Sequence, residues 1–175
     1  MEHDVSALLN RIAAGDPDAL GLLYDAQAAR VFNYAKALTR HRELAEDVTH
    51  DVFLRIHAEA ARIAQAKDPA AYVMAITRNH AYNLLKRGSR LANLDEMAGV
   101  TNPPGDKTLF DDAFAALPPS QREAVYLHLV CGYTHKETAA ITNAPLVTVK
   151  WRYGKALAKL RAYFDPKEDH CYDKP

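Results

Sequence analysis

Residues 133–155 read YTHKETAAITNAPLVTVKWRYGK, and this stretch predicts two helices joined by a tight turn. Thr134 is a favourable helix N-cap, and Glu137, three residues later, completes a capping box with it. Gly132 is a favourable stop for the preceding helix. The Asn-Ala-Pro sequence at 143–145 then turns the chain sharply before the last helix. A short helix, a tight turn and a second helix form the helix-turn-helix pattern.

The last helix is strongly basic and has no acidic residue between 146 and 164. Its cations are Lys150, Arg152, Lys155, Lys159 and Arg161. Five cations on one helix can neutralise several phosphates, while its early residues would face base edges in the major groove. A solvated basic face explains the charge alone, but together with the turn and the capping box the charge favours DNA binding. Spacing does not decide whether Trp151 and Tyr153 are groove or core residues.

The rest of the chain also predicts helices. Helix-forming residues dominate, and no β-branched run alternates with period two, so we expect an all-α fold. Apolar residues recur at helical spacing over 4–37, where Gly-Asp-Pro at 15–17 divides two helices, with the aspartate as cap and the proline at the first helical position. Further helices are expected over about 42–64 and 69–88, and in four pieces over 111–164.

A change of composition separates these two groups of helices. Residues 92–112 contain two adjacent prolines, two glycines and five acids against one lysine, which is typical of a linker. We therefore expect two small helical domains, at 1–91 and 113–164. A flexible acidic linker at 92–112 would join them, and a polar tail would follow at 165–175.

The overall composition excludes several classes of protein. The chain has 175 residues with 22 basic and 22 acidic side chains, so it is not a uniformly basic nucleic-acid binder. No apolar run approaches the roughly 20 residues of a membrane helix, and the start has no signal-like apolar segment. Two cysteines cannot build a disulfide framework. We expect a cytoplasmic protein without membrane insertion.

The third predicted helix carries an acidic face next to apolar positions. The acids are Glu43, Glu46, Asp47 and Asp51, and the neighbouring apolar residues are Val48, Val52 and Phe53. Three- and four-residue spacings place these carboxylates on one side of a helix. Such a face suits a basic, partly apolar partner surface. An ordinary solvated helix face is the alternative.

The fourth predicted helix combines cations with rings. The cations are Arg78, Lys86, Arg87 and Arg90, and the rings are Tyr72, His80 and Tyr82. This combination is typical of proteins that hold single-stranded nucleic acid, because charges follow the phosphates while rings stack on bases. The alternative is that Tyr72 and Tyr82 belong to the hydrophobic core.

In this order, the acidic helix, the basic-aromatic helix, the linker and the helix-turn-helix resemble a bacterial RNA polymerase sigma factor of the extracytoplasmic-function (ECF) type. The motifs that carry the resemblance are GDPDALGLLY (15–24), LAEDVTHDVFLRIH (44–57), AYVMAITRNHAYNLLKR (71–87), ALPPSQREAVYLHLVCGYTHKETAAI (116–141) and APLVTVKWRYGKALAKLR (144–161). The resemblance covers about 5–163. It implies a sigma region 2-like helical bundle followed by a sigma region 4-like helix-turn-helix.

The resemblance also implies a function. Sigma factors bind core RNA polymerase and direct promoter recognition, DNA melting and transcription initiation, here for a stress- or signal-responsive gene set. They are not enzymes and need no cofactor. The implied partners are the β′ clamp helices and β flap of the polymerase, promoter DNA and an anti-sigma factor.

The resemblance assigns residues to three contacts. Binding of core polymerase falls to Glu46, Asp47, Asp51, Val52 and Phe53. The promoter −10 element falls to Arg62, Asp68, Arg78, Asn79, Tyr82, Asn83, Lys86 and Arg87, and the loop at 62–68 would capture a flipped base. The −35 element falls to Val147, Thr148, Lys150, Trp151, Arg152, Gly154 and Lys155. Trp151 stands where the family commonly has a small residue, which leaves the promoter sequence open.

Two other functions fit parts of the sequence, and a third, an enzyme, has no motif to support it. A stand-alone helix-turn-helix regulator would bind duplex DNA without polymerase, often as a symmetric dimer. His128, Cys131 and His135, with His170-Cys171 in the tail, could supply zinc ligands, although structural histidines and a buried thiol explain them as well. No Ser-His-Asp order, phosphate-binding loop or HExxH helix supports an enzyme.

Overall fold

The computed structural model describes residues 4–92 and 109–164, and the side chains of 4–88 and 112–164. Every regular element among these residues is helical. The chain divides into two compact units, most of whose described residues lie at 4–92 and 109–164 respectively. Most of the expected linker at 92–112 and the whole tail at 165–175 lie outside the described residues. In the described part of the chain we find no helix with the length and apolar character that a membrane span requires.

The first unit consists of four helices, one of which is central. They are α1 (Val5–Ala13), α2 (Ala19–Thr39), α3 (Arg42–Ala64) and α4 (Pro69–Ala92). Helix α3 packs against each of the other three. Its buried residues are Ala45, Val48, Thr49, Val52, Phe53, Ile56, Ala60 and Ile63. Because these positions recur every three or four residues, they form one apolar stripe along the helix and leave the acidic positions outside.

The start of α2 differs from the sequence-based expectation. The helix begins at Ala19, not at Pro17, and Asp18 is its N-cap. Asp16 does not cap the helix: its Oδ1 accepts the Asp18 backbone N–H at 3.0 Å, and its Oδ2 lies 2.8 Å from Arg11. The carboxylate therefore holds the turn before α2, and the expected cap is wrong by two residues.

The second unit contains the four predicted helical pieces. They are α5 (Leu109–Ala115), α6 (Pro119–Val125) with a π-helical continuation at Tyr126–Val130, α7 (His135–Thr142) and α8 (Leu146–Phe164). The predicted breaks are confirmed. Gly132 has φ +75° and Asn143 has φ +49°, and this left-handed backbone ends a helix at each position.

The predicted capping box is present at the start of α7. Glu137 Oε2 accepts the Thr134 backbone N–H at 2.7 Å and the Thr134 hydroxyl at 2.8 Å. The Glu137 backbone N–H donates in turn to Thr134 Oγ1 at 3.2 Å. These hydrogen bonds to the charged carboxylate lower the pKa of Glu137. The cap fixes where the first helix of the helix-turn-helix begins.

A buried arginine closes the turn between α5 and α6. Arg122 is only 6% exposed. Its Nε donates to the Phe114 carbonyl at 3.1 Å, and its Nη2 donates to the carbonyls of Ala115 and Leu117, each at 2.9 Å. A single guanidinium thereby binds three backbone carbonyl groups in the turn between α5 and α6.

Three rings join the π-helical segment, α7 and α8. The rings of His128 and His135 stack with centroids 4.2 Å apart, and the Tyr153 ring lies 4.8 Å from both. His128 Nδ1 lies 2.6 Å from the Tyr133 carbonyl oxygen. Buried His135 Nδ1 has no hydrogen-bond partner among the described residues. Burial, then the neighbouring His128 and the Lys150 ammonium, lower the pKa of His135.

Acid is therefore expected to destabilise the second unit through His135. The pKa of His135 in the fold lies below its ordinary value of 6.5, so the unfolded chain binds the proton first. Stability is fully present well above pH 6.5 and is lost as the pH drops through and below that value. Glu137 stays ionised in this window because its pKa is lowered from 4.5.

The measurement is urea unfolding at about pH 7.5 and about pH 5.5, followed by the fluorescence of Trp151, the only tryptophan in the chain. A His135→Gln variant should show a smaller loss of stability between the two pH values than the unmodified protein. His57→Gln, at an exposed position of α3, is the control and should leave the pH dependence unchanged. Equal pH dependence in His135→Gln and the unmodified protein would contradict this account.

Candidate functional site

The acidic positions of α3 lie on the surface of the first unit. Glu46 and Asp47 are exposed, and the Asp51 side chain is 48% exposed. Glu46 Oε1 accepts a hydrogen bond from Arg42 Nε at 2.8 Å, an i,i+4 pair of exposed side chains. The three carboxylates thus form an accessible negative face, which we call the acidic face.

Two residues that the resemblance assigned to polymerase binding do not lie on this surface. Val52 is 0% exposed and Phe53 is 6% exposed. Both belong to the apolar cluster of the first unit, and the Phe53 ring packs 4.7 Å from that of Tyr24. Burial of Val52 holds α3 so that the carboxylates face outwards, and the assignment of Val52 and Phe53 to polymerase binding stays a prediction.

A groove between α2 and α3 lies beside the acidic face. It has a volume of about 380 Å³, and Phe53 is part of its wall. The other lining residues are Tyr24, Ala28, Ala29, Phe32, Arg42, Glu46, Thr49 and His50. Tyr24 is 49% exposed. The sequence analysis did not identify the α2 side of this groove. Tyr24 is the last residue of the motif at 15–24, but residue spacing does not show that its side chain is exposed.

The proposed −10 residues fall into an exposed row and a partly buried pair on α4. Asn79, Asn83, Lys86 and Arg87 are exposed. Spacings of four and seven or eight residues place these four on one side of the helix. Arg78 and Tyr82 are half-buried, and the Arg78 guanidinium lies 4.6 Å from the centre of the Tyr82 ring in a cation–π contact.

A short network holds the connection between α3 and α4. Glu59 accepts from Arg55 Nε at 3.1 Å and from Arg62 Nη1 at 3.0 Å. Arg62 Nη2 donates to the Tyr72 hydroxyl at 3.0 Å and so links the two helices. Glu59 itself has non-helical φ and ψ of −116° and 17°, which marks a kink before the loop. Tyr72 is therefore neither a free ring nor a fully buried one.

The start of α4 is fixed from the other side of the same loop. Asp68 Oδ1 accepts the Ala71 backbone N–H at 2.9 Å, the bond of a helix N-cap. Pro69 follows as the first residue of the helix, where its restricted φ is favourable. Asp68 thus has a structural partner, whereas Lys67 and Gln65 in the loop are exposed.

Helix α8 divides into a buried side and an exposed side. Val149, Ala156 and Leu160 are buried, and Tyr153 packs against the apolar cluster of the second unit. Tyr153 is therefore on the core side. Trp151, at 57% exposure, is on the outer side.

The remaining proposed −35 residues are all accessible to some degree. Val147, Lys150, Gly154 and Lys155 are exposed, and Thr148 and Arg152 are half-buried. The structure thus brings an apolar position and several cations together on the outer side of α8.

The described residues do not support the zinc alternative. No three His, Cys, Asp or Glu side chains at 4–88 or 112–164 are grouped so that they could hold a metal ion. His128 and His135 instead stack as rings, and the half-buried Cys131 forms no disulfide with a described residue. His170 and Cys171 lie outside the described residues.

Comparison with known sequence families gives two matches. Residues 23–91 match sigma-70 region 2, and residues 107–160 match sigma-70 region 4. The chain is also similar to ECF RNA polymerase sigma factors named SigK. It is 25% identical over 172 residues to the one from Mycobacterium sp. (strain JLS), covering 90% of this chain and 89% of the relative. It is 27% identical over 180 residues to that of Mycobacterium tuberculosis (strain ATCC 25618 / H37Rv), covering 94% and 96%.

Two solved structures share the fold. One is the sigma factor RpoE in complex with the anti-sigma factor NepR from Bartonella quintana, with TM-score 0.73, 21% identity, and 84% of this chain and 97% of that chain covered. The other is CnrH in complex with the cytosolic domain of CnrY, with TM-score 0.67, 22% identity, and 94% and 99% covered. The region 2 match contains the acidic helix α3, and the region 4 match contains α7 and most of α8, which form the helix-turn-helix. The chain belongs to the sigma-70 family and is an RNA polymerase sigma factor of the ECF type.

Proposed function

We propose that this sigma factor uses three separate surfaces on its two domains, with domain boundaries at 1–91 and 113–164. The acidic face of α3 binds the β′ clamp helices of core RNA polymerase. The α3–α4 loop and the outer side of α4 melt and hold the −10 element. The outer side of α8 binds the −35 element, and the second domain also contacts the β flap. The polymerase performs the chemistry.

The observation that carries this proposal is the separation of charge between the two helices. The outer side of α3 presents Glu46, Asp47 and Asp51, whereas α8 presents cations and no acid between 146 and 164. A negative surface on one unit suits a basic protein partner. A positive helix on the other suits phosphates. A stand-alone DNA-binding regulator does not require an acidic surface such as that of α3. Family membership and the distribution of charge therefore both favour the sigma factor.

The loop network supports the −10 part of the proposal. Glu59, Arg62 and Tyr72 are held together before any DNA binds, and Asp68 fixes the start of α4. A base that leaves the duplex costs a few kcal/mol of stacking and pairing energy. A loop that is already ordered loses little conformational entropy when DNA binds. More of its binding free energy therefore offsets the cost of flipping the base.

We also propose an anti-sigma partner and a cytoplasmic location. The similar RpoE structure contains the anti-sigma factor NepR, and the similar CnrH structure contains the cytosolic domain of CnrY. A protein of this kind would cover the acidic face, the outer side of α8, or both, and thereby block the contacts to polymerase and DNA. Co-purification from unstressed cells is the direct way to find it.

Reversing the charge of the acidic face should weaken the binding of core polymerase. In an Asp47→Lys/Asp51→Lys variant, lysines replace two accessible carboxylates on α3, and like charges would meet the basic partner surface. We expect the dissociation constant for core RNA polymerase to rise by more than about tenfold. The measurement is fluorescence anisotropy of the labelled full chain titrated with purified core enzyme.

The matched control is Asp25→Lys/Asp112→Lys, which makes the same change in net charge at exposed positions of α2 and α5. It should bind core polymerase as the unmodified chain does. Equal weakening by the two variants would assign the effect to net charge and refute a docking role for the acidic face.

Loss of the loop network should slow promoter melting. Tyr72→Phe removes the hydroxyl that accepts a hydrogen bond from Arg62, and Glu59→Gln removes the negative charge that binds the Arg62 guanidinium. A net hydrogen bond contributes about 0.5–1.5 kcal/mol, so we expect open-complex formation on duplex promoter DNA to slow by roughly two- to tenfold. Permanganate reactivity of unpaired thymines follows this step over time.

On a template that is already melted over the same segment, both variants should bind like the unmodified protein. Asp16→Asn, which disrupts a comparable arginine–carboxylate pair far along the chain from the loop, should be normal on both templates. A defect of equal size on duplex and pre-melted DNA would show that the network does not act in melting.

A further inference from the structure

The outer side of α8 has a central strip with cations on both edges. At about 100° per residue, Val147, Trp151, Gly154 and Ala158 lie within about 60° of one another around the helix axis. All four are exposed. Lys150 and Arg161 follow one edge of this strip, and Lys155 and Lys159 follow the other; all four cations are exposed as well. We call the four central residues the apolar strip.

The apolar strip exposes two large side chains one turn apart. Val147 is 79% exposed and Trp151 is 57% exposed, although the buried side of the same helix has an apolar cluster to pack against. In helices side chains lean towards the N-terminus, so the indole of Trp151 extends towards Val147. The fold therefore holds a continuous apolar surface outside its own core.

Gly154 adds an observation of a different kind. A Cβ atom built at this position meets no atom of the described residues within 4 Å, so packing against this part of the chain does not require a glycine. Glycine inside a helix is less stable than alanine. Its flat surface beside Trp151 allows another molecule to come close to the helix backbone.

We propose that Val147 and Trp151 read the C5-methyl groups of thymines in the −35 element, an inference that rests on the proposed role of α8. Thymine presents the only methyl group among the base edges in the major groove. Valine has no hydrogen-bonding group in its side chain, and the indole of tryptophan has only one donor. An apolar strip therefore selects bases by contact with methyl groups, and not by paired hydrogen bonds.

The charges on the two edges identify the partner as duplex DNA. The major groove is about 12 Å wide and is bordered by phosphates on both sides, and a helix with side chains is about 10–12 Å across. Lys150 and Arg161 would meet one phosphate chain, and Lys155 and Lys159 the other. A protein partner for the same strip would have to be acidic along both edges.

The test uses the full chain bound to core RNA polymerase and a duplex library randomised upstream of the −10 element. Rounds of selection should enrich sites with thymines at fixed positions. The selected duplex is then remade with deoxyuridine at those positions, which removes only the methyl groups. Each lost methyl should weaken binding about fourfold, the ratio expected when one methyl group loses an apolar partner.

Variants of the strip complete the experiment. Trp151→Ser should reduce both the enrichment of thymine and the difference in affinity between the thymine and deoxyuridine duplexes. Val147→Ser/Trp151→Ser should abolish both, whereas Trp151→Phe should keep part of the difference. Tyr163→Ser is the matched control, because Tyr163 is an exposed aromatic on a different side of α8. It should behave like the unmodified chain. Circular dichroism confirms that each variant is folded.

The outcomes separate this inference from the proposed function. If no sequence is enriched at all, the sigma-factor role of α8 fails and this inference fails with it. If a sequence is enriched but the deoxyuridine duplex and Trp151→Ser change nothing, only the inference is overturned. If Trp151→Ser weakens the binding of core polymerase and leaves the selected sequence unchanged, the strip contacts protein, and the inference is also overturned.

Discussion

Burial of one side of α3 among three other helices is the constraint on which the first unit depends. Val48, Val52 and Ile56 have no exposed surface, and burial of each such side chain contributes about 1.5–3 kcal/mol. Rotation of α3 about its axis would lose these contacts. The helix can therefore present only one side to the solvent, and that side carries the carboxylates.

Opposite charges on separate helices explain how a neutral chain can direct DNA binding. The chain has 22 basic and 22 acidic side chains, so its average field gives DNA little attraction. The cations concentrate on α8 and on the outer side of α4, while the acidic face is on α3. Docking of the acidic face on polymerase would hold the basic surfaces near promoter DNA. Linked contacts then reinforce one another through effective concentration, although each is weak alone.

Most parts of the structure that depend on local chemistry could be predicted from the sequence, although the N-cap of α2 is Asp18 and not the expected Asp16. The capping box at Thr134 and Glu137, the breaks at Gly132 and at 143–145, and the bounds of α3 all follow from neighbouring residues. The parts that depend on packing could not. Spacing puts Val52 beside the carboxylates of α3, but only the fold shows that it is enclosed. Likewise, His128 and His135 are spaced like metal ligands, whereas the turn between them stacks their rings.

The sequence also could not show whether an aromatic residue lies on the buried or the exposed side of its helix. Trp151 and Tyr153 are both aromatic and lie in the same turn of α8, yet one is on the outer side and the other packs against the core. Their spacing fixes the angle at which each side chain leaves the helix, but it does not show which other residues pack against that side chain. Among the described residues, α5 and α6 pack on one side of α8, where Tyr153 lies, whereas Trp151 on the other side is 57% exposed.

Run-off transcription with purified bacterial core RNA polymerase on genomic fragments tests the central claim most directly. With the chain added, the account predicts new transcripts that begin at defined sites and are absent with core enzyme alone. The free chain should bind the same DNA weakly. If no transcripts form with core enzyme while the free chain binds duplex DNA with nanomolar affinity, the sigma-factor account is contradicted, and a stand-alone regulator takes its place.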